Sequence, residues 1–107
     1  DAIITGDLGH IGKEVVIELA EKEGFNIKSN YNDCGVLIFD KESQDTHSGG
    51  SGCACCGSVF SGYLYNQLKR KKLKKILLIA TGALTNATSS QQGESIPGIA
   101  HAVSIEI

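Results

Sequence analysis

The sequence predicts a mixed α/β fold in which parallel strands are joined by helices and the last strand runs antiparallel. Three observations support this prediction. Short apolar runs of strand length alternate with two segments of helical periodicity along the 107-residue chain. A third apolar run is followed by a loop and then by a fourth run, without a helical segment between them. Because only a parallel neighbour requires a long crossover, the fourth strand is expected to be antiparallel.

The first half of the chain predicts two strands around one helix. Residues 2–5 form a short apolar run that is typical of a buried strand. Residues 13–22 have helical periodicity, and Gly24 follows where the helix is expected to end. After a turn-rich segment, residues 36–39 predict the second strand. The apolar face of the helix is predicted to consist of Val15, Val16, Leu19 and Ala20.

Residues 49–68 form an uncharged segment around which the rest of the chain is expected to be organised. Five of the 13 glycines lie between Gly49 and Gly62, and each glycine inside a helix costs about 1 kcal/mol relative to alanine. We therefore predict a central helix that is packed on most sides, with its glycine-rich start facing a pocket. The alternative is a mobile loop leading into an ordinary helix. Helical spacing continues through Val59, Phe60, Tyr63, Leu64 and Leu68.

The second half predicts two more strands on either side of a long loop. Residues 76–80 are nearly all apolar, which indicates a third strand buried on both faces. Residues 81–98 form a loop, and loops longer than about 12 to 15 residues inside a compact domain usually bind something. The polar residues 88–92 suit a ligand held by hydrogen bonds, although a solvated loop remains the alternative. Residues 100–107 predict the fourth strand.

Composition narrows the class of protein. With 41% hydrophobic residues and one proline, the chain is expected to form one globular domain. The net charge of −2 argues against a general nucleic-acid-binding protein. We expect no signal peptide, because no charged segment precedes the first apolar run. The uncharged residues 48–68 contain too much glycine, serine and amide to be stable as a membrane span.

The four cysteines are expected to be reduced thiols of an intracellular protein. Cys53, Cys55 and Cys56 are too close on one helix to form the ordinary disulfide framework of a secreted protein, and Cys34 stands apart. Cys53 and Cys56 are one helical turn apart, and His47 could join them on a metal ion, but a metal site needs about four ligands. We therefore expect no metal, since buried cysteine is also a common small apolar residue.

Two motifs suggest other functions. The spacing Gly6-x-x-Gly9-x-x-Gly12 after a strand resembles the nucleotide-binding turn of extended short-chain dehydrogenases and epimerases, and Tyr65 and Lys69 have the spacing of their catalytic pair. No acid follows at residues 27–30, and 107 residues cannot hold the usual domain of that family. Residues 69–75 carry six of the ten Lys and Arg side chains, which favours a solvated helix end, with docking to anionic lipid as the alternative.

Four segments of the chain carry a resemblance to a known family: residues 30–35, 48–53, 80–84 and 89–102. The most specific of them is the last block, Ser-Ser-Gln-Gln-Gly-Glu-Ser-Ile-Pro-Gly-Ile-Ala-His-Ala. Together they resemble the C-terminal third of the stage V sporulation protein AD family, which has the thiolase-like fold of condensing enzymes. The resemblance covers nearly the whole chain.

The resemblance implies that residues 1–107 are a fragment of a longer chain. They would form the C-terminal half of a three-layer thiolase-like domain, with a mixed sheet of four to five strands whose last strand is antiparallel. The strand order would be second, first, third, fourth, and the central helix would be buried between two sheets. In isolation, the bared helix and sheet edge would cause self-association.

The resemblance also implies that the reaction of the condensing enzymes has been lost. Gly6 and Gly9 occupy the places of the catalytic His and Asn after the first strand, and the expected His or Asn at the start of the central helix is replaced near Gly50. No cysteine lies between Gly82 and Gly98 to match the thiolase cysteine. We expect no enzymatic activity and no cofactor.

The family function implied by the resemblance is binding of dipicolinic acid, with or without calcium, for uptake into the developing spore. The protein would lie inside the cell at the spore inner membrane, among the other proteins of the same uptake complex. The alternatives are a dinucleotide-dependent enzyme, a degenerate acyltransferase and an interaction module. Helix amides and loop side chains would hold the ligand. The predicted ligand-binding residues are Gly50, Ser51, Gly52, Ser89, Ser90, Gln91 and His101.

Overall fold

The computed structural model describes residues 1–40, 42–83, 93, 95 and 98–107. Four strands and four α-helical segments lie in these residues, and a π-helical segment, Phe60–Leu64, joins the last two helical segments into one continuous helix. The strands are β1 (Ala2–Thr5), β2 (Tyr31–Asp33), β3 (Lys75–Ala83) and β4 (Gly98–Glu106). The helical segments are α1 (Gly9–Lys22), α2 (Cys34–Leu37), α3 (Cys55–Val59) and α4 (Tyr65–Lys69).

The four strands form one sheet in the order β2-β1-β3-β4. β1 lies parallel to both β2 and β3, with Ile4 opposite Asn32 on one side and Leu78 on the other. β4 is antiparallel to β3, with Ala102 opposite Ile79. The α/β class, the mixed sheet, the strand order and the antiparallel last strand are confirmed.

The predicted second strand is wrong in position. Residues 36–39 are not extended; β2 is Tyr31–Asp33, and α2 begins immediately at Cys34. Asp33 has extended backbone angles, φ −136° and ψ 139°, and its carboxylate accepts a hydrogen bond from the Gly35 amide across 2.9 Å. Asp33 therefore caps α2, because its side chain supplies an acceptor to an amide of the first helical turn, which has no partner within the helix.

The apolar face predicted for α1 is partly wrong. The helix begins at Gly9, four residues earlier than predicted, and Ile17 is its most deeply buried hydrophobic side chain. Val16 and Ala20 are half-buried, as expected, whereas Val15 and Leu19 are 48% and 55% exposed. The helix packs along the face that contains Gly9, Val16 and Ile17, which leaves the other predicted pair in solvent.

The central helix comprises α3, the π-helical segment and α4, and it packs on one side only within the described residues. Its start is Cys55 rather than Gly49. The core lies between this helix and the sheet, whereas a Cβ atom added at Gly57 or Gly62 would meet no atom within 4 Å. The prediction of burial on most sides is therefore not met within these described residues. The buried core residues are Ile4, Cys34, Cys55, Val59 and Leu64.

β4 forms an exposed edge of the sheet. It begins at Gly98, and every residue of it except Ile105 is exposed. β3 is longer than predicted, and its burial on both faces is contradicted, because Ile76 is buried while Leu77 is 36% exposed.

None of the helices among the described residues is long and apolar enough to cross a bilayer.

Candidate ligand-binding cleft

A cleft of about 710 Å³ opens at the carboxyl ends of β1 and β3. β2 and β3 flank β1 on opposite sides within the sheet, so the order of the strands reverses at β1. Open α/β sheets bind ligands at such a reversal of strand order, outside the carboxyl ends of the strands. The cleft is lined by Asp7, Leu8, Ser51, Gly52, Cys53, Cys56, Ala80, Thr81, Gly82 and Ile99.

Asp7 joins three parts of the cleft wall. Its carboxylate accepts hydrogen bonds from the Thr81 hydroxyl at 3.1 Å, the Ser51 hydroxyl at 3.0 Å and the Gly52 amide at 3.1 Å. The Asp7 amide in turn donates to Thr81 Oγ1 across 3.2 Å. The end of β1, the end of β3 and the loop before the central helix are thus held around one negative charge that lines the cleft.

Asp33 forms a second network beneath the cleft and is completely buried. Its carboxylate accepts a hydrogen bond of 2.5 Å from the Thr5 hydroxyl and bonds of 2.9 to 3.1 Å from the amides of Leu8, Gly9 and Gly35. A carboxylate at the start of α1 also interacts favourably with the helix dipole. Three backbone segments are therefore tied to one buried anion.

These hydrogen bonds disfavour a dinucleotide at the first glycine turn. The amides of Leu8 and Gly9 donate to Asp33, while those of His10 and Ile11 donate to the carbonyl and hydroxyl oxygens of Ser48 at 2.5 and 3.4 Å. A pyrophosphate would need these donors and would have to displace a buried carboxylate to reach them. Tyr65 and Lys69, the other elements of that alternative, line a groove beside residues 105–107 instead of this cleft.

Glycines allow the loop before the central helix to pack directly on the turns below the cleft. Gly9 has φ +78°, and a Cβ atom there would lie 2.6 Å from the Ser48 carbonyl oxygen. Gly49 has φ +115°, and a side chain there would strike the carbonyl of Gly35. The Gly50 amide donates to that same carbonyl across 2.7 Å. Backbone contacts therefore fix the position of the segment that carries Ser51.

The structure places some of the predicted ligand-binding residues at the cleft. Ser51 and Gly52 line it, but the Gly52 amide and the Ser51 hydroxyl already donate to Asp7. Gly50 packs against Ile38 instead, and its amide is bonded to Gly35. The two glycine amides expected to receive a carboxylate thus have protein acceptors.

The remaining predicted residues divide into two groups. His101 is exposed on β4 opposite Ala80, two residues from Ile99, so both side chains lie on the same face of the sheet. Ile99 lines the cleft, and His101 therefore points along the same surface. Ser89, Ser90 and Gln91 lie outside the described residues.

The cleft lining also contains residues that were not predicted to bind a ligand, among them Asp7, Thr81, Cys53 and Cys56. The sequence could have indicated Asp7 and Thr81, because each lies within two residues of the end of an apolar run. Asp7 belongs to the segment Thr-Gly-Asp, and Thr81 begins the segment Thr-Gly-Ala. Parallel strands bring such residues to the same edge of a sheet.

All four cysteines are free thiols, and two of them are buried. Burial raises the pKa of Cys34, and the neighbouring Cys56 raises it further. Burial also raises the pKa of Cys55, with the negative charges of Asp7 and Asp33 adding to the effect. His47 lies with Nε2 3.8 Å from Asp45 Oδ1, and the part of the chain that the structure describes contains no group of three side chains able to hold a metal ion.

Comparison with known proteins gives one family. The sequence model of the family described as Stage V sporulation protein AD (SpoVAD) matches residues 1–106. The stage V sporulation protein AD of Bacillus subtilis (strain 168) is 41% identical over 106 residues. The match covers 99% of this chain and 31% of that relative, so the chain spans about a third of the length of the curated protein that it matches.

Proposed function

The chain belongs to the stage V sporulation protein AD family, and on that premise we propose that it contributes to a dipicolinate-binding protein that serves dipicolinate uptake into the developing spore. The observation that carries the proposal is the cleft at the carboxyl ends of β1 and β3. Ala80 and Ile99 offer apolar surface for a flat pyridine ring, and the side-chain oxygen atoms of Asp7, Ser51 and Thr81 lie in the same lining.

Asp7 makes the calcium complex of dipicolinate the better ligand for this cleft. Free dipicolinate carries two negative charges, and the Asp7 carboxylate in the cleft wall would repel them. A calcium ion bound between the two ligand carboxylates reverses this interaction. Calcium prefers oxygen ligands, and Asp7, Ser51 and Thr81 present a carboxylate and two hydroxyls in one hydrogen-bonded group.

Calorimetric titration of the full-length protein tests this proposal. The preformed one-to-one calcium complex is expected to bind more tightly than free dipicolinate in the presence of a chelator. Asp7→Asn removes the charge at nearly the same size, so it should reduce affinity for the complex by about tenfold, or about 1.4 kcal/mol. Binding of free dipicolinate should be unchanged or improved.

The matched control is Asp45→Asn, because Asp45 is 91% exposed and lies away from the cleft lining. It should leave both affinities unchanged. Equal affinities for the two ligands in the natural protein, unaltered by Asp7→Asn, would remove the cleft from the binding site. Ser90→Ala and Gln91→Ala test the long loop in the same way, with exposed Ser61→Ala as their control.

In the proposed function, the protein binds its ligand and catalyses no reaction. Gly6 and Gly9 stand where the resemblance puts catalytic side chains, and a Cβ atom at Gly6 would lie 2.7 Å from Thr81 Oγ1. At Gly9 it would lie 2.6 Å from the Ser48 carbonyl oxygen, so neighbouring atoms fill both places. Short acyl thioesters should therefore be hydrolysed no faster with the full-length protein than without it. A catalysed rate would support the degenerate acyltransferase instead.

The chain would form half of a three-layer thiolase-like arrangement in the longer protein. The exposed side of the central helix and the β4 edge are the surfaces that such an arrangement would cover. Small exposed residues on that helix, including Gly57 and Gly62, would allow close approach of a second layer.

The protein would act at the spore inner membrane with the other proteins of the uptake complex. Every basic residue of 69–75 is exposed, and β3 begins within this run, so it lies at the opposite end of β3 from the cleft. Anionic lipid attracts each such charge by about 1 kcal/mol near its surface. Lys71→Glu with Lys72→Glu should therefore weaken co-sedimentation of the full-length protein with anionic vesicles. Unchanged co-sedimentation would mean that these lysines do not bind the lipid, and that the protein is held at the membrane by the partner proteins instead.

A further inference from the structure

Two of the four thiols open into the cleft. Cys53 is exposed, Cys56 is half-buried, and both belong to the cleft lining. Cys34 and Cys55 lie in the hydrophobic core instead. The proposed binding function uses neither Cys53 nor Cys56, so their position in the cleft wall calls for another explanation.

The backbone brings Cys53 and Cys56 within reach of one another. The Cys55 amide donates to the Gly52 carbonyl across 3.1 Å, so residues 52–55 form a turn that leads directly into α3. Ala54, which connects this turn to α3, has near-helical backbone angles, φ −100° and ψ −3°. Residues three apart in a helical turn have Cα atoms about 5 Å apart. Disulfides bridge Cα separations of about 4.4 to 6.8 Å, so this spacing needs little backbone movement. A Cβ atom at Gly52 would meet nothing within 4 Å, which leaves room for the adjustment.

We propose that Cys53 and Cys56 form a redox-active dithiol that small-molecule disulfides oxidise to an intramolecular disulfide in the cleft wall. The Cys53 thiolate attacks one sulfur of the small disulfide, forms a mixed disulfide and releases one small thiol. Cys56 then loses its proton, its sulfur attacks Cys53 Sγ, and a second small thiol leaves. The protein loses two protons and two electrons, and the small disulfide gains them as it becomes two thiols.

Exposure assigns the two roles. Cys53 is the attacking sulfur because it is exposed to solvent, whereas half-buried Cys56 is the resolving sulfur. Cys34 is a neighbour of Cys56, but it is completely buried. Cys55 is 5% exposed and belongs to the core, so it provides a neighbouring thiol that should not react.

The test is redox equilibration of the full-length protein in mixtures of reduced and oxidised glutathione, followed by acid quenching, alkylation under denaturing conditions and peptide mass spectrometry. At about a hundredfold excess of the oxidised form, the peptide containing residues 53–56 should lose two hydrogens and escape alkylation at both outer cysteines. Cys53→Ser and Cys56→Ser should each abolish the bond. Cys55→Ser should retain it, as the matched control.

The proposal would be overturned if that peptide remained fully alkylated, or if the bond joined Cys34 or Cys55. Should a serine variant fail to fold, the natural protein gives a second measurement. Phenylarsine oxide bridges two nearby thiols, so one equivalent should protect Cys53 and Cys56 together from alkylation. Protection of neither, or of one alone, would equally overturn the dithiol.

Discussion

Asp33 is the residue whose chemistry affects most of the fold around the cleft. Its carboxylate accepts four hydrogen bonds, from one hydroxyl and three backbone amides, while it is completely buried. Ionised carboxylates accept without donating, and that suits a site surrounded by donors. The buried residue thus stabilises the start of α1, the cap of α2 and the end of β1 together.

Asp33→Asn should destabilise the full-length protein by about 1 to 3 kcal/mol, because its amide group would present donors to Gly9 or Leu8 amides that need an acceptor. The midpoint of urea unfolding measures this effect. Asp45→Asn, at a site that is 91% exposed, should change stability by less than about 0.5 kcal/mol. Similar midpoints for the two variants would show that the buried network adds little stability.

Alkaline pH should weaken the fold through its buried thiols. Burial raises the pKa of Cys34 above the ordinary value of 9.0, so the unfolded chain loses this proton first as pH rises. The stability that the protonated thiol provides is complete below pH 9.0 and declines above it, by up to about 1.4 kcal/mol per pH unit. Cys34→Ala should flatten that decline in urea unfolding between pH 8 and pH 11. An equally steep decline in the variant would contradict the assignment.

At the scale of elements, periodicity predicted the strands that are mainly apolar and missed the one that is not. β1 was found because it is an apolar run, whereas β2 reads Tyr-Asn-Asp and has no such pattern. Its polar side chains are satisfied by internal partners, including a hydrogen bond of 2.7 Å between the Tyr31 and Thr5 hydroxyls. Sequence patterns do not show those partners, because they come from residues more than 20 positions away.

The candidate cleft was predicted only in part for a similar reason. The sequence placed Ser51 and Gly52 near a pocket, since a glycine-rich segment precedes the central helix. It did not show that Asp7 would accept their hydrogen bonds, because that contact depends on how the loop before the central helix packs on the end of β1. The strand order was implied by the family resemblance, whereas side-chain pairing depends on the register of neighbouring strands.

A substitution in the central helix should change stability in opposite directions in the isolated residues 1–107 and in the full-length protein. In residues 1–107, a methyl group at Gly57 would meet open space, so Gly57→Ala should stabilise the isolated chain by about 0.5 to 1 kcal/mol. In the full-length protein the same change should destabilise, if a second layer packs closely on this helix. Thermal unfolding of both forms measures the difference. Stabilisation in both would contradict the three-layer arrangement. Gly24→Ala is an unsuitable control because Gly24 has φ +89°.

For the whole molecule, the surfaces left open by this part of the chain predict self-association when it is produced alone. β4 is a nine-residue edge strand with Ile99 59% and Val103 55% exposed. Such an edge offers unpaired backbone groups to a second strand, and apolar side chains strengthen the pairing. The isolated chain should therefore form dimers or larger species at high micromolar concentration, as measured by light scattering.

A charge on that strand separates edge pairing from other contacts. Val103→Lys should shift the isolated chain towards monomer, because an edge lysine opposes strand addition. Ile11→Lys on α1 is the matched control, since Ile11 is 72% exposed but lies on a helix outside the sheet. If both variants associated as strongly as the natural sequence, the exposed side of the central helix would be the contact. If the natural chain were monomeric, neither the β4 edge nor the exposed side of the central helix would promote association. That result would count against burial of these two surfaces in the longer protein.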